Sequence, residues 1–222
     1  MVATLNPIVM KHFISPFLLL LSVHCLHAQD APVSYQNDIG FNTTFALQGV
    51  FNSNETPFSL MYKAYKAENK AWRFGVDTYV NINKTDSKTS TSSFIDYSSG
   101  YLGLVAGMEL QNKIDKRWVW YYGGDFVPFY SFTNQDSFSN GELFWEDQYK
   151  EFGLGLRPFL GIRFDISPRL YLSAEANVLL SYARTKSYAS NVNDPIPSRD
   201  IEGAHIVFTA SPASGLFLYY RF

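Results

Sequence analysis

The chain has 222 residues, 18 basic and 20 acidic side chains, a formal net charge of −2, one cysteine and an aromatic content of 17%. That balance offers no basic stripe to nucleic acid, and a lone Cys leaves no disulfide and no Cys-based metal site. The length suits a single barrel or sandwich domain.

The first element is "MKHFISPFLLLLSVHCLHAQD", in which Lys11 precedes an apolar run from Phe13 to Val23 and small or polar residues follow to Ala28. This is the layout of a secretory signal peptide over residues 1–28, cut between Ala28 and Gln29. The run is too short for a spanning helix, which needs about 20 apolar residues. The residues before Met10 are uncharged, unusual for such a signal, and make Met10 an alternative start. His24 stands before Cys25 where a lipoprotein signal carries a small residue, which argues against lipid attachment.

From residue 29 to 222 the period is two. In "WRFGVDTYVNI", Trp72, Phe74, Val76, Val80 and Ile82 share one parity, while Arg73, Gly75, Asp77 and Asn81 take the other. The same alternation runs through "YLGLVAGMELQ", "FGLGLRPFLGIRFD" and "LYLSAEANVLLSY". Side chains that alternate in this way lie on opposite faces of a strand. Eight runs emerge, at about 39–51, 57–66, 71–83, 101–112, 118–132, 150–165, 169–185 and 205–222. "AENK", "NKIDKR" and "ISP" make tight turns, whereas 84–100, 133–149 and 186–204 read as long loops rich in Ser, Asn, Asp and Thr. Short turns on one rim and long loops on the other mark a transmembrane barrel. Pro128, Pro158 and Pro212 interrupt runs on the apolar parity, and proline lacks the ladder donor.

Volume decides which face points outward. Eight strands enclose an interior that side chains just fill, and the large apolar sets would overfill it. The other parity, rich in Gly103, Gly107, Gly153, Gly155 and Gly161, fits inside. The reading is therefore an all-β, eight-stranded antiparallel up-and-down transmembrane β-barrel with its apolar face toward lipid. Trp72, Trp118 and Trp120 stand beside the tight turns as interfacial anchors.

The signal peptide, the eight alternating runs, "GLGLRPFLGIRFDISPRLYLSAEANVLLSY" and the final "LFLYYRF" resemble a small outer-membrane β-barrel of the OmpA/OmpX-like type. The "HAQ" junction resembles signal cleavage sites common in Bacteroidota. The resemblance implies the cell outer membrane, a periplasmic N-terminus, and surroundings of outer-membrane lipid and lipopolysaccharide. It implies that Leu218, Tyr220 and Phe222 form the signal read by the barrel-assembly machinery. Members include adhesins, structural anchors, small channels and proteins with no known activity.

The inward parity carries Lys63, Arg73, Arg157, Arg163 and Arg221 with Asp77, Glu109, Asp125 and Glu175. Buried charges persist when paired, so these predict a lumenal network that plugs the barrel. Placing Asp165 opposite Arg169 would make Arg157 and Glu175 diagonal neighbours and an ion pair. His205, near the acids Asp194, Asp200 and Glu202 and near Ser181 or Ser187, is the one candidate for a lipid A-modifying enzyme, the minority reading. "DSFSNGELFWED" weakly matches a calcium loop through Asp136, Asn140, Gly141 and Asp147. The expectation is no cofactor and no catalysis. The role is structural or loop-mediated interaction or adhesion, with Phe144 and Trp145 in loop 133–149 as contacts to a protein or glycan. A lateral channel for small apolar molecules, hinted at by the prolines, is the alternative.

Overall fold

The structure, a computed structural model, describes residues 36–43, 58–83, 93–140, 142–191 and 199–222. The signal segment 1–28, Met10 and the expected strand residues 44–51 lie outside them. The described residues form eight strands, β1 (Asn37–Asn42), β2 (Phe58–Ala67), β3 (Lys70–Asn83), β4 (Phe94–Lys113), β5 (Trp118–Ser139), β6 (Glu142–Asp165), β7 (Leu170–Asn191) and β8 (Arg199–Arg221). Each pairs antiparallel with its chain neighbour, and β1 pairs with β8 to close the barrel.

The faces sort as volume requires. Phe74, Leu104, Leu156 and Phe208 point outward with 46–70% of their surface exposed, whereas Arg73 and Glu109 inside are 0% exposed. An outward apolar belt around a charged interior suits a lipid solvent, and closure leaves no unpaired edge in it. Trp72, Trp118 and Trp120 stand exposed at the tight-turn end, with the Trp118 ring 4.8 Å from that of Phe164.

Glycine does more inside than keep the lumen small. Tyr121 faces Gly161, Phe159 faces Gly123, Phe129 faces Gly153, and Tyr219 faces Gly40, each pair directly opposite on adjacent strands. Every one of these rings occupies the space that a Cβ on its glycine would need. An eight-stranded interior thus holds large aromatics because the partner strand withdraws its side chain at the same level.

The strands are longer than the sequence suggests. A crossing needs about 9–11 residues, yet β4 to β8 have 20, 22, 24, 22 and 23. Of the expected loop 133–149, residues 133–139 belong to β5 and 142–149 to β6, and the turn carries Asn140 with a left-handed φ of 55°. Residues 94–100 likewise belong to β4, 186–191 to β7 and 199–204 to β8. Beyond the belt the outer face meets water and not lipid, so the ladder continues while the apolar alternation that reveals it disappears.

The β6–β7 register also differs from expectation by two residues. Asp165 faces Tyr171 and Gly161 faces Glu175, so the turn spans Ile166 to Arg169. All three prolines mark ladder faults. Pairs are missing between Gly103↔Phe129 and Ala106↔Phe126 beside Pro128, and between Leu156↔Leu180 and Phe159↔Asn177 at Pro158. Pro212 falls in the register shift between Glu175↔Gly215 and Asn177↔Ser211.

Candidate functional site

The interior charges meet in three tiers. At mid-height Arg73, from β3, reaches three carboxylates: Nη1 lies 2.9 Å from Glu175 Oε2 and 3.3 Å from Glu109 Oε2, and Nε lies 3.5 Å from Asp125 Oδ1. Its guanidinium carbon sits 3.7 Å from the Phe159 ring centre. Lys63 Nζ is 2.8 Å from Glu109 Oε2 and 4.4 Å from the Tyr219 ring centre. Toward the loop side, Arg157 bridges Asp77 at 2.8 Å and Asp125 at 3.2 Å. Toward the tight turns, Arg163 pairs with Asp165 at 3.1 Å and donates to Gln111 Oε1 at 3.0 Å.

Arg221 completes that lower tier, 3.3 Å from Asp38 and 3.5 Å from Asp165. Asp38 also accepts hydrogen bonds of 2.6 Å from the Tyr65 and Tyr171 hydroxyls, so one buried carboxylate links β1 to β2, β7 and β8. Asp38, Asp165, Tyr65 and Tyr171 were missed from sequence. Asp38 lies before the first alternating run, and its even number hides a face that is odd on every other strand.

The expected Arg157–Glu175 pair is corrected by the register. Glu175 sits level with Gly161, and its partner is Arg73, from the other side of the lumen. Arg157 turns instead to Asp77 and Asp125. With Asp38 and Asp165 included, five cations face six carboxylates in this network. Charges at such burial require mutual pairing to persist.

His205 faces inward opposite Ala183, and its Nε2 lies 3.3 Å from Glu151 Oε1. Ser131 donates to the same carboxylate at 3.3 Å. Glutamate therefore stands between histidine and serine, which is not the serine–histidine–carboxylate order of a triad. Ser181 faces Val207 and Ser187 faces Ile201, while Glu202 turns outward to Lys186. Asp194 lies outside the described residues.

Phe144 and Trp145 lie in β6 and not in a loop. Trp145 faces Ser137, Leu143 faces Phe138, and Phe144 is the extra residue between them. Both are about one-third exposed, at 36% and 37%. Nearby, the Phe94 and Phe138 rings stack at 4.6 Å. The calcium-loop reading fails on parity: Asp136 faces Glu146, Asp147 faces Gln135, and the two carboxylates point to opposite sides of the hairpin. Among the described residues no His, Cys, Asp or Glu group could hold a metal.

Asp136 lies opposite Asp96 on one side and Glu146 on the other, a row of acids above the belt. Desolvation, then the charges of Glu146 and Asp96, push its carboxyl above the ordinary value. Leu218 and Tyr220 share the outward row of β8, and Phe222, one residue past the end of the strand, is 52% exposed.

No protein-family model matches the chain, and no curated protein matches it. Similar solved structures include Ail, the attachment invasion locus protein of Yersinia pestis, at 15% identity and TM-score 0.39, covering 84% of this chain and 97% of that one. A major outer membrane protein of Thermus thermophilus aligns at 11% identity and TM-score 0.46, covering 85% and 98%. The ferric yersiniabactin uptake receptor FyuA of Yersinia pestis aligns at 8% identity and TM-score 0.42, over 69% of this chain but only 24% of the receptor. At such values the function must be read from this chain's own residues.

Proposed function

We propose that this chain is an integral outer-membrane barrel with a plugged lumen, whose role is structural support or adhesion through its loop-side sheet. The observation that carries the reading is Arg73, fully buried at mid-height and held by Glu109, Asp125 and Glu175. Among the described residues, paired charges and ring–glycine packing fill the lumen, which supports a barrel without a wide aqueous path. Function then falls to the parts outside the belt, where β4 to β8 project as a sheet carrying Phe144, Trp145 and the Phe94–Phe138 stack. Aromatic side chains in such a place suit protein or glycan contact. The tight turns face the periplasm, lipid and lipopolysaccharide surround the belt, and Leu218, Tyr220 and Phe222 address the assembly machinery.

A second reading is favoured by the ladder faults at Pro158 and Pro212, which lie on either side of β7. A small apolar molecule entering from the loop side would leave sideways there. Two measurements separate the readings. Cells carrying the intact barrel should adhere to immobilised proteins or glycans, and cells whose hairpin is cut to join Ser131 to Glu151 should not. Equal adherence would remove the first reading, and uptake of an apolar solute lost on repairing Pro212→Val would install the second.

A further inference from the structure

On the outer face of β6 and β7, Lys150 lies directly opposite Lys186. Like charges so placed destabilise a sheet. Arg184 follows on the same face of β7, opposite Phe152 and diagonal to Lys150. All three side chains are exposed. Glu202 of β8 offsets them in part, its Oε1 2.7 Å from Lys186 Nζ. Among the described residues, Lys150 and Arg184 have no carboxylate within ion-pair distance. Among the described side chains, three cations and one acid therefore share a small area.

The height of this patch is its second informative property. Immediately below it come Phe152, then Leu154 with Tyr182 and Ile206, then Leu156 with Leu180 and Phe208, all pointing outward. Ile162 faces Trp120 at the tight-turn end of the belt. From Ile162 to Phe152, at ~3.3 Å per residue and a tilt of about 40°, the rise is roughly 25 Å. That is the height of a barrel's apolar band, so Lys150 and Lys186 emerge where lipid headgroups begin.

We propose that Lys150, Arg184 and Lys186 form a binding site for the phosphate of an outer-leaflet glycolipid, the phosphorylated headgroup of lipopolysaccharide. Its acyl chains would lie along Leu154, Leu156, Leu180 and Phe208. A phosphate between the two lysines relieves their repulsion, and Arg184 adds the planar, paired donors that suit phosphate oxygens. A soluble acidic partner would satisfy the cations but would have no use for the apolar rows beneath them. This assignment rests on the membrane-spanning, loops-outward reading above.

The test uses the full mature barrel refolded in phosphatidylcholine vesicles, with insertion checked by heat-modifiable gel migration. Binding of diphosphorylated lipid A, dephosphorylated lipid A and inorganic phosphate is then measured in the wild type, in K150Q/R184Q/K186Q and in K113Q/K116Q at the opposite rim. Diphosphorylated lipid A should bind the triple variant tenfold or more weakly, with the rim control unchanged. Dephosphorylated lipid should bind all three forms equally weakly, and inorganic phosphate should fail to match the lipid. Equal affinity of wild type and triple variant, or indifference to the lipid's phosphates, would overturn the site. Inorganic phosphate binding as tightly as the lipid would overturn the glycolipid as its source. A barrel that inserts yet shows no phosphate preference removes this site alone, whereas one that does not insert removes the membrane-spanning reading with it.

Discussion

Arg73 and Glu175, 102 residues apart in the chain, meet at 2.9 Å in the middle of the barrel with the guanidinium fully shielded from solvent. Glu109 and Asp125 each keep a second cation, Lys63 and Arg157, but Glu175 has only Arg73 among the described ion pairs. Arg73→Gln should therefore destabilise the barrel by roughly 3–5 kcal/mol, because it strands a buried carboxylate. Adding Glu175→Gln should recover part of that loss. Urea unfolding in vesicles, followed by gel migration, reads both, and independent, additive effects would show that the pair is not coupled.

The ring of Tyr121 lies over Gly161 on the neighbouring strand. Gly161→Ala should cost about 1–3 kcal/mol through overpacking. Combining it with Tyr121→Val should be milder than the sum of the two single changes. If Gly161→Ala proves neutral in the same unfolding assay, the ring has room that the packing denies it.

Acidification should tighten the far end of the β5–β6 hairpin. Desolvation and the facing Glu146 and Asp96 raise the Asp136 carboxyl in the folded state. A raised carboxyl binds its proton more tightly folded than unfolded. Its contribution is therefore fully present below the ordinary carboxylate range and is lost as pH rises through the raised value. Amide exchange across 134–148, corrected for intrinsic rate, should slow between about pH 7 and pH 4, and Asp136→Asn should flatten the response. Unchanged pH dependence in that variant would exclude the acid row as its cause.

Phe222 binds the seam through its backbone: its N–H donates to the Asn37 carbonyl at 2.9 Å, and its carbonyl accepts from Asn37 N–H at 3.2 Å. Phe222→Ala keeps these bonds and removes an exposed ring. The refolded barrel should change by only about 0.5 kcal/mol, while the amount of folded barrel in cells should fall. A loss of stability with normal cellular assembly would make the ring a packing element and not a recognition signal.

Sidedness can be read with an impermeant maleimide on intact cells. A cysteine at Asn140, in the turn between β5 and β6, should label, and one at Asp115, in the tight turn between β4 and β5, should not. Labelling at Asp115 alone would invert the orientation.

The lipid-crossing part of the fold was legible because lipid enforces a two-residue period: Phe74, Val76, Leu104 and Leu156 had nowhere else to point. The projecting part was not. Thr133, Gln135 and Asp147 pair as regularly as any residue in the belt, but where water replaces lipid on the outer face the apolar pattern is lost. The inward charges could be identified as inward, since parity carries that information. Who pairs with whom could not, because partners such as Arg73 and Glu175 belong to strands that are not adjacent. A two-residue error at one turn was enough to give Glu175 the wrong arginine.

Asp38 reinforces the seam that closes the ring. The turns at Ala67–Lys70, Lys113–Trp118 and Asp165–Leu170 join strands close in sequence, so those hairpins can form early and locally. The bonds of Asp38 to Tyr171 and Arg221 span 133 and 183 residues and exist only once the first strand meets the last. Contacts of such separation are slow to form, because chain entropy is lost before they repay it. Closure of that seam is thus the step that turns a row of independent hairpins into a body that folds and unfolds as one.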